Sequence, residues 1–352
     1  MKMGTRGLLL AVYCLLGALP AANAGSKAIY FNDDRKDYFQ ADPARRAIAD
    51  AVVSLWDISK LSRTKEGSFL LSTRPFGDKV FDRAAGRLCA SEPFQDQPMG
   101  AQCSGTLVGP DLVLTAGHCV NTQAGCDEMK VVFDFNVKKR GGQAPTLVPA
   151  SSVYSCKSIV TSRWESAKYG KLTSAEAEEK GENLDLDYAL IRLDRSVPGR
   201  KPIAINRGGG LAAGDRLFTI GHPVGLPAKI ADDAEVTSLD ENAVYFEANL
   251  DTYGGNSGSG VFNERTGLLE GVLARGRKDF VKTKEGCYAS NVVPQRPEDG
   301  GESVTKISMA AGFIPGAPGQ AAAAQEAAAV DSSGIKPDLP LGRTWDDLAR
   351  QQ

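Results

Sequence analysis

From Cys103 onward the apolar residues come in short runs separated by Gly, Asp, Asn and Pro. Thr106-Leu107-Val108, Leu112-Val113-Leu114, Val131-Val132-Phe133, Tyr188 to Leu193, Leu217-Phe218-Thr219-Ile220, Val244 to Leu250 and Leu268 to Leu273 all read as strands. Several short strands with turn signals between them predict a sandwich or barrels. The stretch from Ser162 to Lys180 is polar and rich in Glu and Ala, and predicts an exposed helical insertion. Residues 26 to about 85 are mixed and polar, with a weakly helical pattern around Pro43 to Ile58. From Pro315 the composition shifts to Gly, Pro and an Ala-Gln-Glu-Ala tract, which predicts a flexible tail. Alanine propensity also allows a short helix over Ala321 to Val330.

The first residues follow a different pattern. Lys2 and Arg6 precede an apolar run from Leu8 to Leu19, and Pro20-Ala21-Ala22-Asn23-Ala24 ends it with small residues. The run falls short of the ~20 apolar residues that span a bilayer. It predicts a secretory signal over residues 1–24. The chain has 7 Cys, and Cys14 lies within that signal. Removal leaves Cys89, Cys103, Cys119, Cys126, Cys156 and Cys287, an even set that suits disulfides in an exported protein. Export is expected to place the protein outside the cell or in a periplasm.

Composition narrows the class. Of 352 residues, 42% are hydrophobic and 24% charged, and the formal net charge is -2. That is enough apolar content for a core, and too balanced a charge for a nucleic-acid binder. With 38 Gly and 7% aromatics, the chain suits a loop-rich β protein better than a helical bundle. No segment after the signal is apolar enough to span a membrane.

Three segments carry candidate chemistry. In Leu114-Thr115-Ala116-Gly117-His118-Cys119 a histidine follows a strand through small residues, which lets its imidazole stand in a cleft. A Cys103–Cys119 bridge would close a loop of about 15 residues, worth ~3 kcal/mol in the chain-entropy model. It would also pin the histidine turn to the preceding strand. In Leu186-Asp187-Tyr188-Ala189-Leu190-Ile191, Asp187 leads into an apolar strand and can be aimed at an imidazole. In Gly254-Gly255-Asn256-Ser257-Gly258-Ser259-Gly260, glycines flank a serine. The amides of Gly255 and Ser257 can converge as an oxyanion hole. Each segment alone is weak evidence. Their chain order, His then Asp then Ser, is that of the chymotrypsin arrangement.

On these residues the sequence resembles the trypsin/chymotrypsin-like serine peptidases. Within them it is similar to the bacterial branch that includes glutamyl endopeptidases. That likeness rests on Gly221-His222-Pro223-Val224-Gly225-Leu226-Pro227, Thr252-Tyr253-Gly254-Gly255-Asn256-Ser257-Gly258-Ser259 and Asn32-Asp33-Asp34-Arg35. It covers roughly Ala28 to Ile314. The resemblance implies an all-β fold of two antiparallel six-stranded β-barrels with the site between them. It implies an N-terminal segment over 25–85, a first barrel over about 86–200 and a second over about 201–314, followed by the tail at 315–352. It further implies a serine endopeptidase in which Ser257 attacks, His118 moves the proton and Asp187 orients His118. No cofactor or metal is required. The expected partner is a protein or peptide substrate, with no nucleic acid, no membrane after signal removal, and a monomeric state.

The chain departs from the family in two places. Asn256 precedes the serine where trypsin-type enzymes carry Asp, so trypsin-style pairing with a new N-terminus is expected to be absent. Leu273 takes the place of a histidine that contacts acidic P1 side chains in glutamyl endopeptidases, which argues against strict Glu specificity. Asp251, Thr252, Leu273 and Gly276 are the candidate substrate-binding residues. Asp251 at a pocket base would favour Arg or Lys at P1. The alternative is a strand-end residue facing away, its charge met by the backbone or by a neighbouring Arg. Arg275 adds a positive charge near the same wall. Cys89, Cys126, Cys156 and Cys287 allow three connectivities. Rival functions on the same fold are a non-catalytic secreted binding protein and a serine esterase.

Overall fold

The computed structural model describes residues 28–78, 86–164, 186–276, 278–293 and 301–316. The expected signal, most of the helical insertion (165–180) and the tail from residue 317 lie outside the described residues. Twelve strands form two closed antiparallel barrels. The first uses β1 (Val52–Asp57), β2 (Cys103–Gly109), β3 (Leu112–Thr115), β4 (Met129–Val132), β5 (Val153–Trp164) and β6 (Asp187–Leu193). It closes in the order β4-β5-β6-β3-β2-β1. The second uses β7 (Arg216–Gly221), β8 (Lys229–Leu239), β9 (Tyr245–Ala248), β10 (Gly260–Asn263), β11 (Leu269–Arg275) and β12 (Glu302–Lys306). Its order is β7-β10-β11-β12-β9-β8, closed by the β7–β8 pairing. Closure pairs every barrel strand on both sides and removes exposed edges.

The first barrel starts earlier than the sequence reading placed it. β1 comes from the stretch read as weakly helical, well ahead of residue 86. The helical pattern is real only over Pro43–Ala49, where Asp42 Oδ1 accepts from the amides of Ala44 (2.8 Å) and Arg45 (3.0 Å). Pro43 suits the first helical position, whose amide has no partner within a helix. Beyond it, Val52-Val53-Ser54-Leu55-Trp56 favours a strand, and pairing with β2 and β4 on either side decides the matter. β5 likewise runs on through Ser162–Trp164, paired with Asp187–Ala189, where the helical insertion was expected to begin.

Each barrel fills its interior with alternate side chains, and a third apolar layer joins them. That layer contains Leu114, Leu190, Phe218, Phe262 and Val272, all nearly solvent-free. Phe218 and Phe262 stack with ring centroids 5.0 Å apart. Three disulfides link Cys89–Cys287, Cys103–Cys119 and Cys126–Cys156. The first joins residues 198 apart and ties the region before β2 to the region before β12.

The residues before the first barrel form a strap across the second. Ile29–Tyr30 pairs in parallel with Val292–Val293, and Lys36–Asp37 adds antiparallel to β8. Buried Lys229 donates to Asp37 Oδ1 at 2.5 Å and to Gln97 Oε1 at 2.6 Å. Burial pulls its pKa down to about 8 despite that carboxylate. Arg35 is also buried. It lies 3.9 Å from the Tyr253 ring centroid and donates to Asp33. Among the described residues no helix is long and apolar enough to cross a membrane.

Phe262→Ala removes a wholly buried ring from the layer joining the barrels. It is expected to lower unfolding stability by about 3–5 kcal/mol, read from urea denaturation.

Candidate active site

The three chemistry-bearing segments meet where the barrels face each other. β3 ends at Thr115, and a short 3-10 turn, Gly117–Cys119, carries His118. β6 begins at Asp187, and its pairing with β3 sets Ala189 opposite Thr115. That register brings the Asp187 carboxylate to the histidine turn. Asp187 Oδ2 lies 2.8 Å from His118 Nδ1, and Oδ1 accepts from the His118 backbone amide at 3.1 Å. Asp187 is 2% exposed, whereas the His118 side chain is 29% exposed. The carboxylate is therefore shielded and the imidazole reaches the cleft. Gly117 makes this approach possible: a Cβ there would stand 2.0 Å from the Arg163 carbonyl oxygen.

Ser257 comes from the loop before β10 and is 7% exposed. Its carbonyl accepts from the Ser104 amide at 2.8 Å, and Cys119 Sγ lies 3.8 Å from the same oxygen. The serine loop thus abuts the turn that bears His118. Glycines on both sides turn with positive φ, 83° at Gly255 and 87° at Gly258. At Gly258 a Cβ would also meet the Ser104 carbonyl oxygen at 2.1 Å. Only glycine satisfies both the backbone and the space there. The Cys103–Cys119 bond spans this junction, with Cα atoms 6.2 Å apart.

The preceding loop is braced from below. The Val224 amide donates to the Gly254 carbonyl at 2.6 Å, and both Asp279 oxygens accept from the Gly254 amide at 3.0 Å. Val224 holds φ 49°, an uncommon conformation for a β-branched residue. The His222 amide donates to Ser104 Oγ at 2.8 Å, and its Nδ1 lies 2.9 Å from the Leu226 carbonyl. Burial drives the His222 pKa down to about 4, so its ring is neutral at ordinary pH. His118, Cys103 and Cys119 bring ligand atoms within 4.8 Å. The two sulfurs are bonded to each other and are not thiolate ligands.

The candidate substrate-binding residues are placed differently from one another. Asp251 is 5% exposed and faces the strap. Its Oδ1 accepts from the Tyr30 amide at 2.7 Å and its Oδ2 from the Asp34 amide at 3.0 Å. Burial lifts its pKa to about 6. This is the strand-end alternative, with backbone meeting the carboxylate, and it differs from a pocket base. Thr252 is wholly buried, and its amide donates to the Ala28 carbonyl. Leu273 lies in the core of the second barrel beside Leu217, Phe246 and Val304. Its backbone, not its side chain, serves the site: the carbonyl accepts from the Gly258 amide at 2.8 Å. Gly276 continues from β11 and lies against the Glu302 carboxylate. Asn256 is bonded at both ends, donating to Thr252 Oγ1 at 2.5 Å and accepting from Ser259 Oγ at 2.8 Å.

Sequence reasoning passed over Ser104, Asp279, Glu302 and Thr305. Thr305 Oγ1 donates to the Asp187 carbonyl at 2.8 Å and so links the second barrel to the aspartate strand. None of these stands in a recognisable motif. Their only signal is a polar residue inside an otherwise apolar strand or turn.

Residues 103–272 match the family model of a trypsin-like peptidase domain. A secreted RxLR effector protein 73 of Plasmopara viticola is 27% identical over 173 residues, which is 46% of this chain and 38% of that protein. The chain thus spans under two fifths of that relative's length. Among solved structures, the Vibrio cholerae VesB protease aligns at TM-score 0.43 and 15% identity, covering 80% of this chain and 66% of that one. A Glu endopeptidase in complex with MPD aligns at TM-score 0.42 and 15% identity, covering 81% and 96%.

His222 is neutral in the fold but takes a proton below about pH 6.5 when unfolded. The unfolded state then binds the extra proton, so folding loses stability as pH falls from 6.5 toward 4. The slope approaches about 1.4 kcal/mol per pH unit for this one group. Urea unfolding of the native protein and a His222→Gln variant at several pH values is expected to show their difference shrinking over that range.

Proposed function

We propose that this chain, whose match to the trypsin-like peptidase domain runs from the first barrel into the second, is an exported serine endopeptidase acting through an acyl-enzyme. The observation that carries the reading is the buried Asp187 carboxylate 2.8 Å from His118 Nδ1, with the serine loop packed against the same turn. In this reading Asp187 holds the Nδ1–H tautomer, which leaves Nε2 able to accept a proton. His118 takes the Ser257 hydroxyl proton as Oγ attacks the scissile carbonyl. The amides of Gly255 and Ser257 receive the oxyanion. His118 then protonates the leaving amine, and water repeats the sequence to release the acid. Asp187 stabilises the imidazolium at each stage without itself taking the proton.

The substrate is a protein or peptide laid along the backbone of β11 as an added antiparallel strand. The peptidase unit occupies residues 25–314, with the signal before it and the tail after it, and acts as a monomer. Its amide donors and triad require no metal or cofactor. An esterase reading uses the same groups, but the chain order and double barrel favour peptide cleavage.

Ser257→Ala is expected to abolish labelling by a fluorophosphonate probe while leaving the unfolding midpoint near that of the native chain. Asp187→Asn is expected to reduce kcat by about 10⁴-fold through the wrong histidine tautomer. Undiminished peptide hydrolysis by Ser257→Ala would sink the assignment.

Leu273 is buried in the barrel core and offers no donor to an acidic side chain. In a panel of chromogenic peptides with Lys, Arg, Glu, Phe and Ala at P1, Glu is not expected to give the highest kcat/KM. A clear optimum at Glu contradicts this reading of Leu273.

A further inference from the structure

Tyr253-Gly254-Gly255-Asn256 makes a reverse turn ahead of Ser257, with the Asn256 amide donating to the Tyr253 carbonyl at 3.1 Å. Gly255 in its third position has φ 83°, whereas φ at Gly254 is not positive. That pattern is a type II turn. A type I turn joins the same ends with the central peptide, here Gly254–Gly255, rotated by roughly 180°. The peptide is trans, so the Gly254 carbonyl and the Gly255 N–H point in opposite directions. Fixing one of them fixes the other.

Two residues outside the turn grip this peptide and the one before it. The Gly254 carbonyl accepts from the Val224 amide at 2.6 Å, and the Gly254 amide meets both Asp279 oxygens at 3.0 Å. Each grip is itself anchored. The Val224 side chain is wholly buried among Ile29, Phe76, Met99 and Tyr253, which retains its unusual φ of 49°. The next carbonyl, that of Gly225, accepts from the Gly100 amide at 3.0 Å. Asp279 is 6% exposed, and its carbonyl accepts from the Asn291 amide at 2.7 Å. Phe280 beside it packs its ring 4.7 Å from that of Tyr253. The hairpin of Phe280–Lys282 and Tyr288–Ser290 is tied down by the Cys89–Cys287 bond. Rotating the central peptide would turn the Gly255 N–H toward the Val224 N–H, so a donor would face a donor.

We propose that Asp279 and Val224 are positioning residues that hold the Gly254–Gly255 peptide in the orientation that keeps the Gly255 amide available as an oxyanion donor. Neither touches the substrate. Asn256, which precedes the serine, is bonded to Thr252 and Ser259 and takes no part in the grip. The catalytic consequence rests on the peptidase reading, whereas the grip itself does not.

The test compares the full native chain with Asp279→Ala, which removes the acceptor, and Asp279→Asn, which keeps one. Amide exchange is read by NMR on chains labelled with ¹⁵N-glycine and ¹⁵N-valine. The Gly254 and Val224 amides are expected to exchange at least ~10-fold faster in Asp279→Ala than in the native chain. Labelling by an alkyl fluorophosphonate, and kcat on the chromogenic peptide that the native chain cleaves fastest, are expected to fall about 10- to 100-fold in Asp279→Ala, with KM changed by less than about 3-fold. Loss of a whole oxyanion donor costs about 10²–10³-fold, which bounds the effect. Asp279→Asn is expected to recover most of the loss. Unchanged exchange in Asp279→Ala, a loss confined to KM, or an Asp279→Asn as impaired as Asp279→Ala overturns the proposal. If Asp279→Ala does not accumulate, the native chain decides: its Gly254 and Val224 amides must exchange at least ~10-fold more slowly than the Gly255 amide, and equal rates overturn the grip. Exchange that depends on Asp279 in a native chain the probe does not label upholds the grip and sinks the peptidase reading. Labelling at the same rate in the native chain and Asp279→Ala, with unchanged exchange, does the reverse.

Discussion

The site depends on one contact, the crossing between barrels at the ends of β2 and β12. Ser104 of the first barrel holds the Ser257 carbonyl through its amide and the His222 amide through its hydroxyl. Thr305 of the second barrel holds the Asp187 carbonyl. Each barrel thus positions a residue borne by the other. A shift of the two barrels would separate Ser257 from the turn that carries His118, even with both barrels intact. The apolar layer of Leu114, Leu190, Phe218 and Phe262 opposes such a shift, because sliding would open voids in a close-packed core.

Burial on this scale forces the polar groups to be accounted for. Asp187, Asn256, Asp251 and Lys229 are all nearly closed to solvent, and each has partners. These partners have different consequences. Asp187 meets an imidazole that reaches the cleft, and so can act on chemistry. Asp251 and Lys229 meet groups of the strap and its neighbours, and so fasten the residues before the first barrel to the second. Among the described residues the strap is an addition to the two bare barrels. Its strand at Ile29–Tyr30 meets Glu302, which packs against Gly276.

Seven of the twelve barrel strands were legible because closed barrels need short apolar runs broken by turns, and β2, β3, β4, β6, β7, β9 and β11 show them. The other five, β1, β5, β8, β10 and β12, were not. β1 was hidden behind a short capped helix, and its strand character depends on pairing with β2 and β4. β5 and β8 carry polar residues along much of their length, including Lys157, Ser158, Asp232 and Asp233, which masks the alternation. The histidine and serine segments were legible through their small residues. Gly117 and Gly258 are required there because backbone from other strands passes within van der Waals reach.

By itself the sequence determined the chemistry on offer: one histidine in a turn of small residues, one aspartate heading a strand, one serine between glycines, and six cysteines beyond the apolar start. Local patterns reveal these because turn geometry and strand periodicity restrict residue type at short range. Only the tertiary structure decided which acids serve which role. Asp251 lies six residues before Ser257, yet its oxygens are taken by the amides of Tyr30 and Asp34. Glu302 lies far along the chain and stands against Gly276 and Ala28. Barrel closure causes this difference, because it joins strands distant in sequence and settles the direction of each side chain by register, which no local pattern encodes.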